Sequence, residues 1–462
     1  MKPPCTPPKL FSQFIPNLGQ VARPPARAPH VGRLGRRYNS PMLRFLGSAL
    51  LLAAAAFAQD FDLLLQGGRV IDPKSRLDAP RDVAIKAGKI AAIEPSIAAN
   101  RARRVLDVRG LLITPGLIDL HVHVYYSAGN PGSWAGDNSI PPDVLSFRTG
   151  VTTMVDAGSS GWRNFEHFKV TVLDRARTRV LAFINIAGHG MISDLTEQDD
   201  FNPDAIVKLK GKYPDAIVGV KSAHYRRPDW ESVDSAVEAG KKGDMPVIVD
   251  FGYFLPERPY HQLVGEHLRP GDISTHAYRG PVPWTDDKGK IYPYLKAARA
   301  RGVRFDVGHG GGSFVLRSAA AAIKDGFYPD TISSDLHTGS MNGAFMDMPS
   351  LMSKLMALGM PLSEVIRAST WTPAEVIRRP ELGHLTVGAE ADIAGLRLMD
   401  GDFGYYDNNG GLVRSKQRLF CEVTIKGGAI AWDYNGRQGR DFHLLGPHYG
   451  IREGIDRIIV PK

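Results

Sequence analysis

Between Ile113 and Arg379 the apolar residues fall in short runs, and each run is followed by a loop and then by a stretch with the spacing of an amphipathic helix. Eight runs can be counted: around Ile118, VTTMVDAG from Val151, RVLAFINIAG from Arg179, DAIVGVK from Asp215, PVIVDFG from Pro246, GDISTHAY from Gly271, VRFDVGHG from Val303 and DTISSD from Asp330. Helix-like stretches such as WESVDSAVEAGKKG and VLRSAAAAIKDG separate them. Eight strand-helix units of this size predict an α/β chain folded as a (β/α)8 TIM barrel over residues 113–379. A doubly wound open sheet is the alternative, but no G-x-G-x-x-G follows the first run.

The flanks read differently. FDLLLQGGRVID, DVAIKAGKIAAIE and RRVLDVRGLLI lie before the central block, and GHLTVGAEADIAGLRL and FCEVTIKGGAIAWD lie after it. These are short strands joined by turns, with Gly67-Gly68 and Ala87-Gly88 placed where hairpins need a permissive backbone. They predict one small β-sandwich domain assembled from both chain ends, residues 59–112 and 380–435, with 436–462 as a C-terminal tail.

At 462 residues the chain is long for one core, and 43% apolar with 23% charged residues is a globular composition. The net charge of +9 suggests nucleic acid until its distribution is considered. Of 57 basic residues eight fall within 1–58, where there is no acid, leaving 49 against 48 acidic residues. The folded part is near neutral, which argues against a nucleic-acid partner and for a small-molecule substrate.

Residues 42–58, MLRFLGSALLLAAAAFA, have a basic start, an apolar run and an A-x-A ending. That pattern is a secretory signal peptide, too short in its apolar run for a membrane span. Residues 1–41, rich in Pro and Arg, read as a disordered extension or a start placed upstream of the true Met42, with a long basic leader as the alternative. Either version predicts an exported protein, periplasmic or secreted, with no stable membrane insertion after cleavage. Cleavage after Ala58 would leave Cys421 alone, which excludes an intrachain disulfide and a cysteine-metal cluster. A homo-oligomer is compatible with all of this.

The candidate chemistry sits where the runs end, the rim at which barrel active sites lie. ITPGLIDLHVHV ends in His121 and His123, two positions apart and so on one strand face, able to close on one cation. By itself the pair could be two hydrogen-bonded histidines; Asp119, on the same face, could orient an imidazole. The fourth run ends in Lys221, the fifth in Asp250, the sixth in His276, the seventh in His309 and the eighth in Asp335. A neutral Lys221 amine can take up carbon dioxide, and the carbamate can bridge two ions; an ion pair with an acid is the plainer role for a strand-end lysine. Asp335 could accept a proton from water and deliver it to a leaving nitrogen, or merely cap the next element.

These segments resemble the amidohydrolase superfamily. ITPGLIDLHVHV resembles its opening metal motif, and GGRVIDP…DVAIKAGKIAAI and LTVGAEADIAGL look like its flanking β-sandwich segments. DAGSSGWRNFEHF, FDVGHGGGSF, TISSDLHTGSMNG and MSKLMALGMPLSEVIRASTWTPAEVI resemble the dihydroorotase-like branch of deacetylase metallohydrolases, over Phe61 to Asp433. The resemblance implies two divalent ions, zinc by preference: His121, His123 and Asp335 on one, Lys221 as bridging carbamate, His276 on the second. Where that branch has histidine after the fifth strand this chain has Asp250, which can ligate through oxygen or pair with a base such as Arg258. Arg163, His224, Arg226 and Tyr278 are candidate substrate contacts, and His309, among glycines, a contact to substrate or to a ligand.

The implied activity is hydrolysis of an amide, in an N-acyl amino acid or a cyclic amide, by a metal-bound hydroxide with Asp335 as base and then acid. The same site could serve an esterase acting on acylated hydroxy acids. A non-catalytic scaffold on this fold should have lost several donors, and only Asp250 departs from the pattern. No G-x-S-x-G suggests a serine triad.

Overall fold

The structure is a computed structural model that describes residues 59–125, 139–191, 200–344, 347–452 and 455–456. The leader read at 42–58 lies outside the described residues.

Seven strands form one parallel sheet in simple sequence order: β6 (Leu117–Val122), β7 (Val151–Gly161), β8 (Arg179–Asn185), β9 (Ile217–Ala223), β10 (Val247–Asp250), β11 (Ile273–Thr275) and β12 (Arg304–Phe305). Each residue of β6, β7, β9, β10 and β11 is buried. This is what a parallel sheet covered on both faces requires, and it explains why the runs are apolar without alternation.

The eighth run does not form a named strand. Its residues bridge both edges instead: Thr331 pairs in parallel with Asp306 beyond β12, and Leu336 pairs in parallel with Val122 of β6. Asp335 N donates to His121 O at 2.7 Å and His123 N to Leu336 O at 2.9 Å, so the curled sheet has its two ends laced together beside the two histidines.

Helices pack outside as the pattern predicted. In Glu231–Lys242 the buried residues are Ser232, Val233, Ala236, Ala239 and Gly240, with acids in the first turn and Lys241 and Lys242 in the last, which suits the helix dipole. Helix Met348–Ala357 begins at Asp347, whose carboxylate accepts from Ser350 N at 2.7 Å.

The flanking strands combine as expected from both ends, but their order is that of one eight-stranded sheet: β15 (Ala429–Asp433), β14 (Leu412–Lys426), β13 (Ile393–Tyr406), β5 (Leu112–Pro115), β1 (Leu63–Asp72), β2 (Leu77–Lys86) and β3 (Lys89–Glu94), with β4 (Val105–Asp107) also on β1. Leu63, Val83, Ile113, Ile393, Val423 and Ile425 share one apolar core, so neither end could bury its strands alone. Ala87-Gly88 makes the expected turn, both with positive φ. Gly67-Gly68 does not: it lies inside β1 as a bulge, where the register with β2 shifts between Leu65 and Gly68.

Candidate metal centre

The side chains named at the strand ends converge at the rim. His121, His123 and Asp335 place one donor atom each within 4.8 Å of one another, all three residues buried. His123 Nε2 lies 3.1 Å and His121 Nε2 3.6 Å from Asp335 Oδ1. Lys221 Nζ is 3.1 Å from His121 Nε2, and the His121 and His276 rings are 4.9 Å apart. His276 Nε2 stands 3.1 Å from Asp250 Oδ2 and 3.9 Å from Asp335 Oδ2. Donors more than two hundred positions apart in the chain therefore meet in one place.

The outer hydrogen bonds fix which ring nitrogen carries the proton. Thr275 Oγ1 donates to Asp306 at 2.7 Å, so it can only accept from His121 Nδ1, 2.8 Å away. Ser159 N donates to Asp156 Oδ1 at 2.8 Å and its hydroxyl lies 2.9 Å from His123 Nδ1, placed to accept from it. Gly308 O can only accept, and His276 Nδ1 lies 2.5 Å from it. In the neutral form each of the three rings then turns an Nε2 lone pair toward the centre. Burial, and next the Lys221 charge, push His121 down to about 3, so it is neutral. Burial raises the Asp335 carboxyl, and positive charge at His121, His123 and His276 would hold it far below the usual range; with the rings neutral, a bound cation is what would supply that charge. Lone pairs of imidazole facing carboxylate oxygens at about 3 Å repel unless a cation lies among them. The donor set, two imidazoles and a carboxylate in a dry site, fits a divalent ion of the zinc type.

Three site residues share a feature seldom found outside glycine: His224, His276 and Asp335 have φ of +54, +55 and +50°. Left-handed backbone at bulky residues concentrates where function requires a side chain to be aimed.

The remaining expectations divide. Asp250 is paired, but not with Arg258: Arg279 Nη1 donates to its Oδ1 at 2.9 Å and His224 Nε2 lies 2.8 Å from its Oδ2. Burial would raise Asp250; Arg279, His276 and His224 hold it well below its ordinary value, and Asp250 in turn draws His224 upward. Arg258 is buried among Tyr225, Trp230 and Phe251 and donates to the carbonyls of Tyr225 and Tyr253. Asp119 does not orient an imidazole; it accepts from Ser334 N and Oγ, tying the eighth run to β6.

Tyr278 is no pocket residue: it is fully buried between Trp284 and Phe314, because the chain after His276 turns into the core. His309 also faces away, with Nε2 on Lys354 Nζ at 2.7 Å and Nδ1 on Gly310 O at 3.0 Å. Arg163 closes its fork on Asp200 and stacks on Trp162, and Arg226 donates to the Tyr253 hydroxyl.

Sequence reasoning missed His337. Its ring stands 6.2 Å from that of His123, and its Nδ1 accepts from Gly339 N at 3.1 Å, which leaves the proton on Nε2. The signal was available: His337 follows Asp335 by two, the same spacing that marked His121 and His123.

Comparison with known proteins agrees with this geometry. The sequence profile described as Amidohydrolase family matches residues 315–420. A protein of Agrobacterium fabrum named as a deacetylase is 35% identical over 346 residues, covering 72% of this chain and 82% of that protein. A deacetylase of Enterococcus faecalis is 27% identical over 381 residues, 80% of this chain and 99% of that one. Among solved structures, one titled as a dihydroorotase (31% identity) and one as an adenine deaminase (27%) each superpose with a TM-score of 0.71, covering 80% of this chain and 99% of theirs.

Proposed function

Because the chain belongs to the amidohydrolase superfamily and is by that kinship a hydrolase of carbon-nitrogen bonds, we propose that it hydrolyses the amide of an N-acyl amino acid or a cyclic amide at a divalent metal centre, zinc by preference. The observation that carries this reading is that Nε2 of His121, His123 and His276 converges on the carboxylate oxygens of Asp335 and Asp250, with Lys221 Nζ beside His121.

His121, His123 and Asp335 would hold one ion; Asp250 and His276 would hold a second, with Lys221 as a carbamate between them. Asp250 would serve through Oδ2 while Arg279 occupies Oδ1. When bound, the ions supply Lewis acidity, polarising a carbonyl and lowering the pKa of water. Asp335 turns Oδ1 toward His123 and Oδ2 toward His276, so one carboxylate spans both positions. Its Oδ2 can take the proton of the attacking water and return it to the leaving nitrogen. Gly308 O, Thr275 and Ser159 hold the three rings in the tautomer this needs. The reading takes the curled sheet as a (β/α)8 barrel carrying a two-layered end domain, and the Met42–Ala58 leader supports export.

The test is elemental analysis of purified protein together with hydrolysis of N-acyl amino acids, cyclic amides and acetylated hydroxy acids. Metal should co-purify, a chelator should abolish turnover, and Asp335→Asn should lower kcat about a thousandfold with the fold intact. Metal-free active protein, or an unaffected Asp335→Asn, would sink the proposal. Turnover confined to acetylated hydroxy acids would keep the site and move the reaction to esters.

A further inference from the structure

Lys354 lies on helix Met348–Ala357 and is 2% exposed, yet no carboxylate is hydrogen-bonded to it among the described residues. Its three ammonium hydrogens are used otherwise: on His309 Nε2 at 2.7 Å, on Tyr406 O at 2.8 Å and on Ala344 O at 3.0 Å. The Asp407 carboxylate acts on it without a hydrogen bond, and burial still pulls the amine down to about 7; packing alone would be met by leucine or methionine. What the amine holds is His309, whose Nδ1 donates to Gly310 O and whose ring stacks on Phe314 at 4.6 Å.

We propose that Lys354 and His309 form a positioning clamp that fixes the Gly308-His309-Gly310 tripeptide under the metal donors and thereby sets how tightly the cation is kept. The proposal rests on the reading of the site as a metal centre. The two glycines are what reach the donors. Gly308, with φ +46°, offers its carbonyl to His276 Nδ1, and a Cβ there would stand 2.9 Å from that nitrogen and 3.1 Å from His121 Nδ1. Gly310, with φ +53°, packs so closely that a Cβ would stand 2.2 Å from Asp335 Oδ2. Two left-handed glycines, one on each side of His309, make a backbone with little conformational restraint of its own. Gly308 N donates to Ser333 Oγ, His309 N to Ser333 O and Gly310 N to Ser334 O, which restrain it from one side; the His309 side chain, anchored on the Lys354 amine, restrains it from the other. Through Tyr406 O and Ala344 O the same ammonium ties that tripeptide to the end of β13 and to the loop after Asp335.

The clamp is tested on the holoprotein by the rate at which excess chelator withdraws the metal, with thermal melting in parallel. Lys354→Met and His309→Leu should each speed release at least about tenfold, in line with losses on removing outer partners of metal ligands. The double variant should release no faster than either single, because the pair acts as one unit. His309→Gln, whose amide oxygen can still accept from Lys354, should stay within about threefold of wild type. Leu355→Ala on the same helix should lower the melting temperature without quickening release. Additive effects, release from Leu355→Ala as fast as from Lys354→Met, or His309→Gln behaving like His309→Leu would overturn the proposal. Should Lys354→Met fail to fold, the contrast between His309→Gln and His309→Leu decides. If wild type keeps no metal, the functional reading has failed; the clamp then stands or falls on whether the double variant is non-additive in melting.

Discussion

The rim of the curled sheet and the end sheet treat buried charge in opposite ways. In the end sheet Glu422 accepts from Arg397 and Arg437 and Asp392 from Arg179 and Lys426, while the buried Asp82 accepts from the backbone N–H groups of Gly67 and Ile97. At the rim, Asp250 shares the Arg279 guanidinium with the rings of His224 and His276, while the imidazoles of His121, His123 and His276 surround Asp335. The first arrangement is complete as it stands and serves folding. The second is complete only with a cation, so it serves binding at the expense of stability.

Glycines sharpen the contrast most. Gly310 and Gly410 both have positive φ, but a Cβ at 310 would collide with Asp335, whereas a Cβ at 410 meets nothing within 4 Å. Gly310→Ala should lower kcat/KM by about a hundredfold or more, since a misplacement near 1 Å at the reacting groups costs that much. Gly410→Ala should cost about 1 kcal/mol of stability and leave activity unchanged. Equal effects of the two variants on activity would erase the distinction between the regions.

Next in size is Thr275→Val, which keeps the shape but removes the acceptor that fixes the His121 tautomer. Metal affinity should fall about tenfold to a hundredfold, read by chelator competition, and the apoprotein should lose about 1–3 kcal/mol because the buried Asp306 loses a donor as well.

The smallest effect concerns the end sheet and pH. Burial would raise the Glu422 carboxyl, but hydrogen bonds from Arg397 and Arg437 hold it down to about 2. A carboxylate whose folded value lies below its unfolded one stabilises fully above the unfolded value of 4.5, and that contribution is lost as pH falls through the folded value near 2. Denaturation midpoints of wild type and Glu422→Gln should differ by about 2 kcal/mol at pH 6 and converge toward pH 2, after allowance for screening at the arginines. A difference independent of pH would show that packing, not the ion pair, matters at this position.

The sequence by itself determined the periodic organisation and the candidate donors. Seven of the eight apolar runs are strands of one parallel sheet, because runs buried on both faces are readable from composition alone. The eighth, around Ser333 and Asp335, was found as a run but is held by isolated bridges, since serines bonded to Asp306 and Asp119 replace much of its ladder. The two-residue spacing of His121 and His123 survives folding because it is a local property of a strand.

What only the tertiary structure decided is where long side chains end. Tyr278 and His309 stood in line with the donors by position, yet one turns into the core and the other onto Lys354, forty-five residues further along. Arg279, not Arg258, reaches Asp250, and Thr275 with Asp306 decides which nitrogen of His121 holds the proton. Backbone periodicity is set by neighbours in the chain and can be read there. The direction of a side chain beyond its first bonds, and the proton on a buried ring, are set by atoms that only the folded packing brings within 3 Å.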